Sequence, residues 1–231
     1  MLYNNKKRGK QMKLEILYED NHIIVAVKPV GVLSQEDHTK DPDMLTLLKE
    51  YLKVKYNKPG NVYLGLVMRL DRMTSGVMVF AKTSKAAARI SEQIRNGEVL
   101  KKYVAIVNGK INNYGTLKDY LIKDEKLVKS FVTTKEKGKL AVLDYNLIKF
   151  IDNLSIVDIL LHTGRHHQIR VQFSNMGNPL YGDKLYGGLG ENHMHLHAYY
   201  LSFVHPVTKE PMKFKNKPSG NLWDKLNIDN L

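Results

Sequence analysis

The sequence predicts an α+β fold in which a mainly antiparallel, mixed β-sheet is flanked by a few helices. Segments of alternating or continuous apolar residues, which are typical of strands, dominate the chain. Most neighbouring segments of this kind are joined by short turns, so the chain returns directly beside itself. Only a few segments have the apolar repeat of a helix. Directly joined strands pair antiparallel, and the few helices are left to cover the sheet.

The first elements are predicted to be a hairpin and a helix. The hairpin consists of LEILY at 14–18 and HIIVAVK at 22–28, and the breaker residues of KPVG end it. Asp41 or Asp43 can cap the helix that follows. The apolar face of this helix consists of Leu45, Leu48, Leu52 and Tyr56.

RLDRMTSGVMVFAKT, at 69–83, contains a loop between two predicted strands. The strands are VYLGLV at 62–67 and GVMVFAK at 76–82. RLDRMTS connects them and carries Asp71. A loop between two buried strands is a common place for functional residues, so Asp71 becomes a candidate.

The rest of the chain is predicted to contain more strands than helices. Ser84 is the predicted N-cap of a helix that runs through Arg95, and Gly97 ends it. Strands are predicted at 99–109, in a meander from Thr116 to Leu161 and at 195–204, and a short helix after HTGRHHQ is predicted to end at Gly177.

The charge balance favours a polyanionic partner. The 231 residues include 36 Lys and Arg against 23 Asp and Glu, which gives a net charge of +13. Nucleic acid is the commonest polyanion that a soluble protein binds, although a merely solvated surface can have the same composition. The chain has no cysteine, which excludes disulfides, thiolate metal sites and cysteine nucleophiles.

No apolar run of the sequence is long enough to span a membrane, and its start has no apolar signal core. We therefore expect a soluble, cytoplasmic protein with no membrane partner.

Residues 1–11 are polar and basic without periodicity, which indicates a disordered basic arm or a non-native remnant. Residues 12–231 are expected to form a single domain.

Asp71 lies between Arg69 and Arg72 in the sequence. Nearby guanidinium groups favour the ionised carboxylate, which suits a nucleophile better than a proton donor. An ordinary ion-paired aspartate at the end of a strand has the same sequence pattern. This stretch alone leaves both interpretations open.

A second dense stretch, LLHTGRHHQIRVQF at 160–173, places Arg165 and Arg170 beside two histidines. Arg170 lies three residues after His167, so the two side chains can share a helical face. Both arginines are candidate anion contacts, and a basic helix start that faces solvent is the alternative.

HMHLH, at 193–197, has histidines at alternate positions, which on a strand places all three side chains on one side. That spacing is compatible with a zinc site. The acidic residue and adjacent fourth ligand of a hydrolytic site are missing, and Leu196 and Ala198 are typical of a buried face. We therefore interpret the histidines as structural and expect no metal.

Tyr103, in KKYVAIV, is by itself more often a packed aromatic residue than a catalytic one.

The motifs together resemble one known family. RLDRMTSGVMVFAKT, KKYVAIVNG, HTGRHHQIRVQFSNMGNPLYGD and LHAYYLSFVHP follow one another in the order seen in pseudouridine synthases of the RluA family. ILYEDNHIIVAVKPVGV resembles that family's first hairpin, and the likeness extends from Met12 to about Pro218. RLD-x-x-TSG followed by GR-x-HQIR is a specific combination.

The resemblance implies a role for each matching residue. Asp71 would be the catalytic aspartate that attacks the uridine, Tyr103 would lie against the uracil, and Arg170 would pair with Asp71. Leu196, in LHA, would give the base an apolar contact. Arg69 would push toward the gap that the uridine leaves in its stack.

The resemblance also implies the reaction. Uridine becomes pseudouridine in a structured ribosomal or transfer RNA, after the base has been flipped out of its stack. The isomerisation needs no redox change and no added group, so no cofactor is expected. An anionic nucleophile can attack the sugar or the ring, and deprotonation at the sugar is a third route, so the chemical step stays open. Arg165 would contact the RNA, and lysines would hold phosphates without reading the sequence.

Three positions depart from the family pattern. Met68 stands where His is frequent, Met73 where Asp is common and His166 where Thr or Ser is usual, and we expect these differences to tune the substrate. The protein is expected to be a monomer that binds RNA through the catalytic domain of 12–231, without the amino-terminal RNA-binding module of many relatives. The alternatives are a non-catalytic RNA-binding protein of the same fold and a His-cluster metallohydrolase.

Overall fold

The computed structural model describes residues 2–4, 11–191 and 193–226, which form two compact units. The first unit consists of the described chain up to Val99 together with Leu201–Asn216. The second consists of Leu100–Tyr200 together with the described chain from Lys217 onward. No helix in these described ranges is long and apolar enough to cross a membrane. The expectation that 12–231 form one domain stays a prediction.

Strands β1 to β6 of the first unit pair antiparallel. β3, β4 and β6 are neighbours in that order, β5 pairs with β6, and β1 pairs with β2. Lys28, the last residue of β4, lies opposite Gly76 near the start of β6, so the loops that follow β4 and precede β6 meet at one edge. The elements are β1 (Leu2–Asn4), β2 (Gln11–Lys13), β3 (Glu15–Glu19), β4 (Ile23–Lys28), α1 (Met44–Lys55), β5 (Gly65–Leu66), β6 (Ser75–Ala81) and α2 (Ser84–Arg95).

Both helices of the first unit begin after a residue whose side chain accepts a hydrogen bond from the first turn. Asp43 caps α1 and accepts from the N–H of Thr46 at 3.0 Å, as predicted. Thr83 caps α2 and accepts from the N–H of Ala86 at 3.1 Å. The predicted cap, Ser84, is wrong by one residue because Thr83 has the extended backbone of a cap, whereas Ser84 is already helical.

A buried apolar cluster packs α2 against the sheet of the first unit. Burying one Val, Ile, Leu or Phe side chain contributes roughly 1.5–3 kcal/mol relative to leaving it exposed. The cluster includes Ile23, Val25, Val77, Val79, Ile90, Leu201 and Phe203. It therefore anchors β4 and β6, the two strands whose ends carry the loops described below.

The second unit is also built on strands. Its strand order is the part of β12 up to Tyr200, then β7, β11, β10, β8 and β9, and the pairs from β7 to β9 are antiparallel. The remaining elements of the chain are β7 (Leu100–Asn108), β8 (Tyr114–Asp124), β9 (Lys129–Thr133), β10 (Lys139–Ile151), β11 (Leu154–Leu161), α3 (Gln168–Asn175), a 3-10 turn (Lys184–Tyr186), β12 (Leu196–Val204), β13 (Pro211–Lys215) and α4 (Asn221–Leu226). The end of β12 from Leu201 onward belongs to the first unit, as does β13, which pairs with β12.

The predicted fold class, a mainly antiparallel sheet with a few helices, is confirmed. The predicted strand at 62–67 is shorter, because only Gly65–Leu66 form a ladder with β6. β13 and α4 were not predicted, since five and six residues carry too little periodicity to identify an element.

Residues 1–11, the predicted disordered arm, are described only in part. Leu2–Asn4 pair antiparallel with Gln11–Lys13. Residues 1 and 5–10 lie outside the described residues. For those positions disorder stays a prediction.

Candidate active site

Asp71 lies in the turn that precedes β6, on the loop where the sequence analysis placed it. The N–H of Thr74 donates to the carbonyl of Asp71 at 3.0 Å and closes this turn. Asp71 is half-buried, whereas Leu70 before it is buried and Arg69 is exposed. The loop therefore presents a carboxylate at the boundary between the core of the first unit and solvent.

The backbone on either side of Asp71 is held by side chains from the end of β4 and the segment after it. The Ser34 Oγ donates to the carbonyl of Leu70 at 2.8 Å and accepts from the N–H of the same residue at 3.0 Å. The Lys28 Nζ donates to the carbonyl of Arg72 at 3.0 Å. The residues before and after Asp71 are thus both fixed to the KPVGVLS segment.

The charged groups near Asp71 include one that the sequence did not suggest. The Arg72 guanidinium pairs with Asp41 at 2.7 Å. Lys28 is fully buried, and burial lowers its pKa to about 7, while the negative charge of Asp71 opposes that shift. The sequence analysis missed this lysine, because it was the last residue of a predicted strand.

Tyr103 and Leu196 are both buried in the second unit. Tyr103 lies in β7 opposite Ile159 of β11, and Leu196 is the first residue of β12. Their exposed fractions are 6% and 5%. This burial agrees with the interpretation of Tyr103 as a packed aromatic residue. The contacts with uracil that the resemblance implies for both residues stay predictions.

Arg170, on α3, forms a buried bidentate ion pair with Asp183. The Nε and Nη2 atoms of Arg170 donate to the two carboxylate oxygens at 2.6 and 2.8 Å. The Tyr186 ring lies 5.0 Å from the centre of the guanidinium. A planar guanidinium can hold a carboxylate at two points, which fixes its orientation as well as its charge.

The partner predicted for Arg170 was Asp71, and that pairing stays a prediction. Asp183 is a partner that the sequence analysis did not identify. The sequence contained a signal for Asp183, because this residue ends the segment HTGRHHQIRVQFSNMGNPLYGD, which resembles the family. Its pairing with Arg170 spans thirteen positions of chain, which no helical or strand spacing indicates.

His167 shapes the start of α3. Its backbone is left-handed, with φ of 54°, and its Nδ1 lies 3.0 Å from the Tyr186 hydroxyl. Burial, followed by the nearby positive charge of Arg170, lowers the pKa of His167 to about 3. His167 is therefore neutral at pH 7 and contributes to the order of the segment that carries Arg170.

Arg165 is exposed at the start of the same segment. Its Nε donates to the carbonyl of Leu140 at 2.9 Å, and its backbone N–H donates to the Gln168 Oε1 at 3.0 Å. These bonds fix the loop, and Arg165 remains exposed. The arrangement is suitable for the anion contact that the sequence predicted for Arg165.

The histidines of HMHLH do not occupy one strand face, because β12 begins only at Leu196 and contains His197 alone among them. His195 is buried with its ring 5.4 Å from the rings of both Tyr181 and Trp223. Among the residues that the structure describes, neither of its ring nitrogens has a hydrogen-bond partner. In the part of the chain that the structure describes, no group of three His, Cys, Asp or Glu residues is placed to hold a metal ion. The structural interpretation of these histidines and the expected absence of a metal stay predictions.

Comparison with known proteins gives a consistent result. A family model for RNA pseudouridylate synthase matches residues 22–175. Ribosomal large subunit pseudouridine synthase D of Borreliella burgdorferi is 32% identical, over 97% of this chain and 74% of that protein. tRNA pseudouridine synthase C of Haemophilus influenzae is 30% identical, over 85% of this chain and 90% of that protein.

Two solved structures share the fold. Human RNA Pseudouridylate Synthase Domain Containing 1 matches with a TM-score of 0.70 and 24% identity, over 90% of this chain and 84% of that chain. Human RNA Pseudouridylate Synthase Domain Containing 4 matches with a TM-score of 0.73 and 23% identity, over 89% and 88% of the two chains. The fold that the sequence resemblance predicted is confirmed.

Proposed function

Because the chain belongs to the RluA family and is an RNA pseudouridine synthase, we propose that it converts uridine to pseudouridine in ribosomal or transfer RNA with Asp71 as the catalytic aspartate. The observation that carries this proposal is the Asp71 turn, a half-buried carboxylate whose two neighbours are fixed by Ser34 and Lys28. A nucleophile needs such a fixed position and an ionised form at neutral pH. We place the reaction in the cytoplasm, where ribosomal and transfer RNA are used.

The proposed reaction is an isomerisation within one nucleoside. The bond between N1 of uracil and C1′ of ribose breaks, the base rotates, and a bond forms between C5 and C1′. The hydrogen on C5 leaves as a proton and N1 gains one, so atoms and electrons balance without a cofactor. A carboxylate can begin this sequence by attacking C1′, by attacking the ring or by removing a proton from the sugar, and Asp71 is compatible with all three routes.

Tyr103 and Leu196 are the proposed contacts of the flipped uracil. An aromatic ring and an aliphatic side chain form the apolar surface on which a base stacks after it leaves the helix. Arg69 and Arg165 are both exposed, and we propose that they contact the RNA around the target nucleotide. Arg170 would complete the site by holding the Asp71 carboxylate in its charged form.

Release of a label from C5 tests the proposed reaction directly. Purified protein is incubated with ribosomal or transfer RNA that carries tritium at C5 of uridine and lacks pseudouridine. We expect tritium in the solvent and an equal amount of pseudouridine in the RNA. RNA that is bound without either product would instead indicate the alternative, a non-catalytic RNA-binding protein of the same fold.

RNA binding is expected to weaken strongly with salt. The net charge of +13 implies several contacts between lysines and phosphates, and each contact releases condensed counterions. For four contacts, the logarithm of the association constant should fall with a slope of roughly −3 against the logarithm of salt concentration. Titrations at low and moderate salt measure this slope, and an affinity that does not change with salt would contradict the proposed phosphate contacts.

Chelation of metal ions is expected to leave catalysis unchanged. The proposed chemistry uses a carboxylate and proton transfers, and it requires no Lewis acid. Tritium release is measured before and after dialysis against EDTA, in a buffer whose monovalent salt keeps the RNA folded. Loss of activity that zinc restores would support the metallohydrolase alternative.

A further inference from the structure

We propose that Lys101 binds a backbone phosphate of the RNA next to the target uridine, on the strand face that also carries Tyr103. The inference rests on the proposed function, because it places this phosphate beside the residue that is proposed to contact the flipped uracil. Lys101 and Tyr103 both lie in β7, within the second unit.

Lys101 shares one face of β7 with Tyr103. Side chains alternate along a strand, so Lys101 and Tyr103 point to one side and Lys102 points to the other. The Lys102 Nζ accordingly lies 3.3 Å from a carboxylate oxygen of Asp158 in β11. Two residues span roughly 6–7 Å of strand, which is similar to the separation between a base and the phosphate of one nucleotide. A uracil against Tyr103 therefore brings a phosphate close to Lys101.

The Lys101 ammonium has no partner within the described part of the chain. The side chain is half-buried, yet no described carboxylate or carbonyl oxygen accepts a hydrogen bond from its Nζ. Burial lowers the pKa of Lys101 from its usual value. In the first unit, by contrast, Lys28 donates to three carbonyls and Lys82 pairs with Glu19 at 3.0 Å. A partly buried charge without a partner is unfavourable, which points to an anion supplied by a ligand.

Gly164 keeps this ammonium accessible. A Cβ built on Gly164 would lie 3.8 Å from the Lys101 Nζ and, apart from its chain neighbours, would have no other described atom within 4 Å. Gly164 is exposed, so the space beside the ammonium opens to solvent. A long side chain at this position would cover Lys101, whereas glycine leaves room for a ligand.

The loop that carries Gly164 is held in place on both sides. The Thr163 hydroxyl donates to the Gln168 Oε1 at 2.8 Å and accepts from the N–H of Val142 at 2.8 Å. The N–H of Arg165 donates to the same Oε1 at 3.0 Å. The exposed Arg165 thus adds a second cation next to Gly164, on a loop whose position is fixed before RNA binds.

A phosphate is the RNA group that this position fits best. The lysine ammonium is a compact charge with three donors, and it forms charge-assisted hydrogen bonds with phosphate oxygens. Such a contact sets the position of the backbone and carries no sequence information. Lys101 would therefore fix the target nucleotide by its phosphate while Tyr103 contacts its base.

The test compares Lys101→Met with Lys102→Met as the matched control. Methionine has a similar length in both variants and removes one positive charge. Lys102 is the next residue of the same strand, but its side chain lies on the opposite face and pairs with Asp158. Affinity at several salt concentrations, kcat, KM and melting temperature are measured with ribosomal and transfer RNA transcripts that lack pseudouridine.

We expect Lys101→Met to lower the affinity for these transcripts about tenfold at low salt. The slope of the logarithm of the association constant against that of salt concentration should become less steep by roughly 0.7–0.9. KM should rise while kcat at saturating RNA stays within about threefold, because the contact is made before and during the reaction alike. Lys101→Arg keeps the charge and should keep the salt slope, and Lys102→Met should match the parent within about twofold.

The melting temperature separates binding from folding. Lys101→Met removes a half-buried charge that has no described partner, so its melting temperature should equal or exceed that of the parent. Lys102→Met loses an ion pair and should not gain stability. A loss of affinity in Lys101→Met can then be assigned to the RNA contact.

Ethylation of RNA phosphates locates the contact. Lightly ethylated transcripts are separated into fractions that the protein binds and fractions that it does not bind. With the parent and with Lys102→Met, ethylation of a phosphate next to the uridine that the parent modifies should interfere with binding. With Lys101→Met, ethylation of that phosphate should have no effect.

Three results overturn the inference. The first is an affinity and salt slope of Lys101→Met that equal those of Lys102→Met. The second is a fall in kcat without a loss of affinity, which would indicate proton transfer by Lys101. The third is an interference pattern that is unchanged in Lys101→Met or differs only at phosphates distant from the modified uridine. Failure of the proposed function is a different outcome, in which the parent itself forms no pseudouridine.

Discussion

Replacement of Asp71 by asparagine is expected to reduce pseudouridine formation by about 10³-fold or more, below the detection limit of most assays. Asparagine keeps the size and most of the hydrogen bonding of aspartate but removes the negative charge. A nucleophile cannot act without that charge. RNA affinity should stay within roughly twofold, because contacts between lysines and phosphates are unchanged. Tritium release, RNA affinity and melting temperature are measured on one preparation.

Asp41→Asn is the matched control for this variant. Asp41 pairs with Arg72 at 2.7 Å in the same unit, and both side chains are partly exposed. Loss of such a pair costs about 0.2–1 kcal/mol of stability and should leave turnover intact. If Asp71 only braces a neighbouring cation, Asp71→Asn will behave like Asp41→Asn, and the nucleophile assignment will be wrong.

The second large effect is expected for Arg170→Lys. Lysine keeps the positive charge but cannot donate two parallel hydrogen bonds to the Asp183 carboxylate. The pair is buried, so we expect a loss of about 2 kcal/mol in the free energy of unfolding. Turnover should fall more than RNA affinity, because Arg170 is the proposed partner that holds Asp71 ionised.

Asp183→Asn separates the two roles of Arg170. This substitution removes the negative charge of the same buried ion pair and leaves the Arg170 guanidinium in place. If Arg170 is only structural, the two variants will lose stability alike, and neither will lose turnover at a temperature where it is folded. A greater loss of kcat in Arg170→Lys than in Asp183→Asn is the expected result.

The sequence predicted the long elements of the fold more accurately than the short ones. The long strands and the helices at 44–55 and 84–95 follow from apolar periodicity, and Asp43 was identified as a cap because its side-chain chemistry is local. The segment 62–67 was overestimated, since the ladder with β6 includes only two of its residues. The length of such a short strand depends on its pairing with residues that are distant in the sequence. Apolar periodicity contains no information about that pairing.

The same limit applies to the candidate site. Asp71 could be predicted because a specific motif surrounds it, and its loop could be placed between strands. Lys28 was missed, because a lysine at a strand end is usually solvent-exposed, whereas the Nζ of Lys28 is buried and donates to the carbonyls of Pro29, Val32 and Arg72. Ser34 carries no motif of its own, and only its contact with Leu70 identifies it. Contacts with backbone groups that are distant in the sequence are visible only in the folded chain.

Pseudouridine mapping in cells tests the central claim most directly. Ribosomal and transfer RNA are compared from cells that have the gene, cells that lack it, and cells complemented with the parent or with Asp71→Asn. We predict that at least one uridine position loses pseudouridine without the gene, regains it with the parent protein and stays unmodified with Asp71→Asn. The same set of pseudouridines in all four samples would contradict the claim that this protein modifies ribosomal or transfer RNA through Asp71.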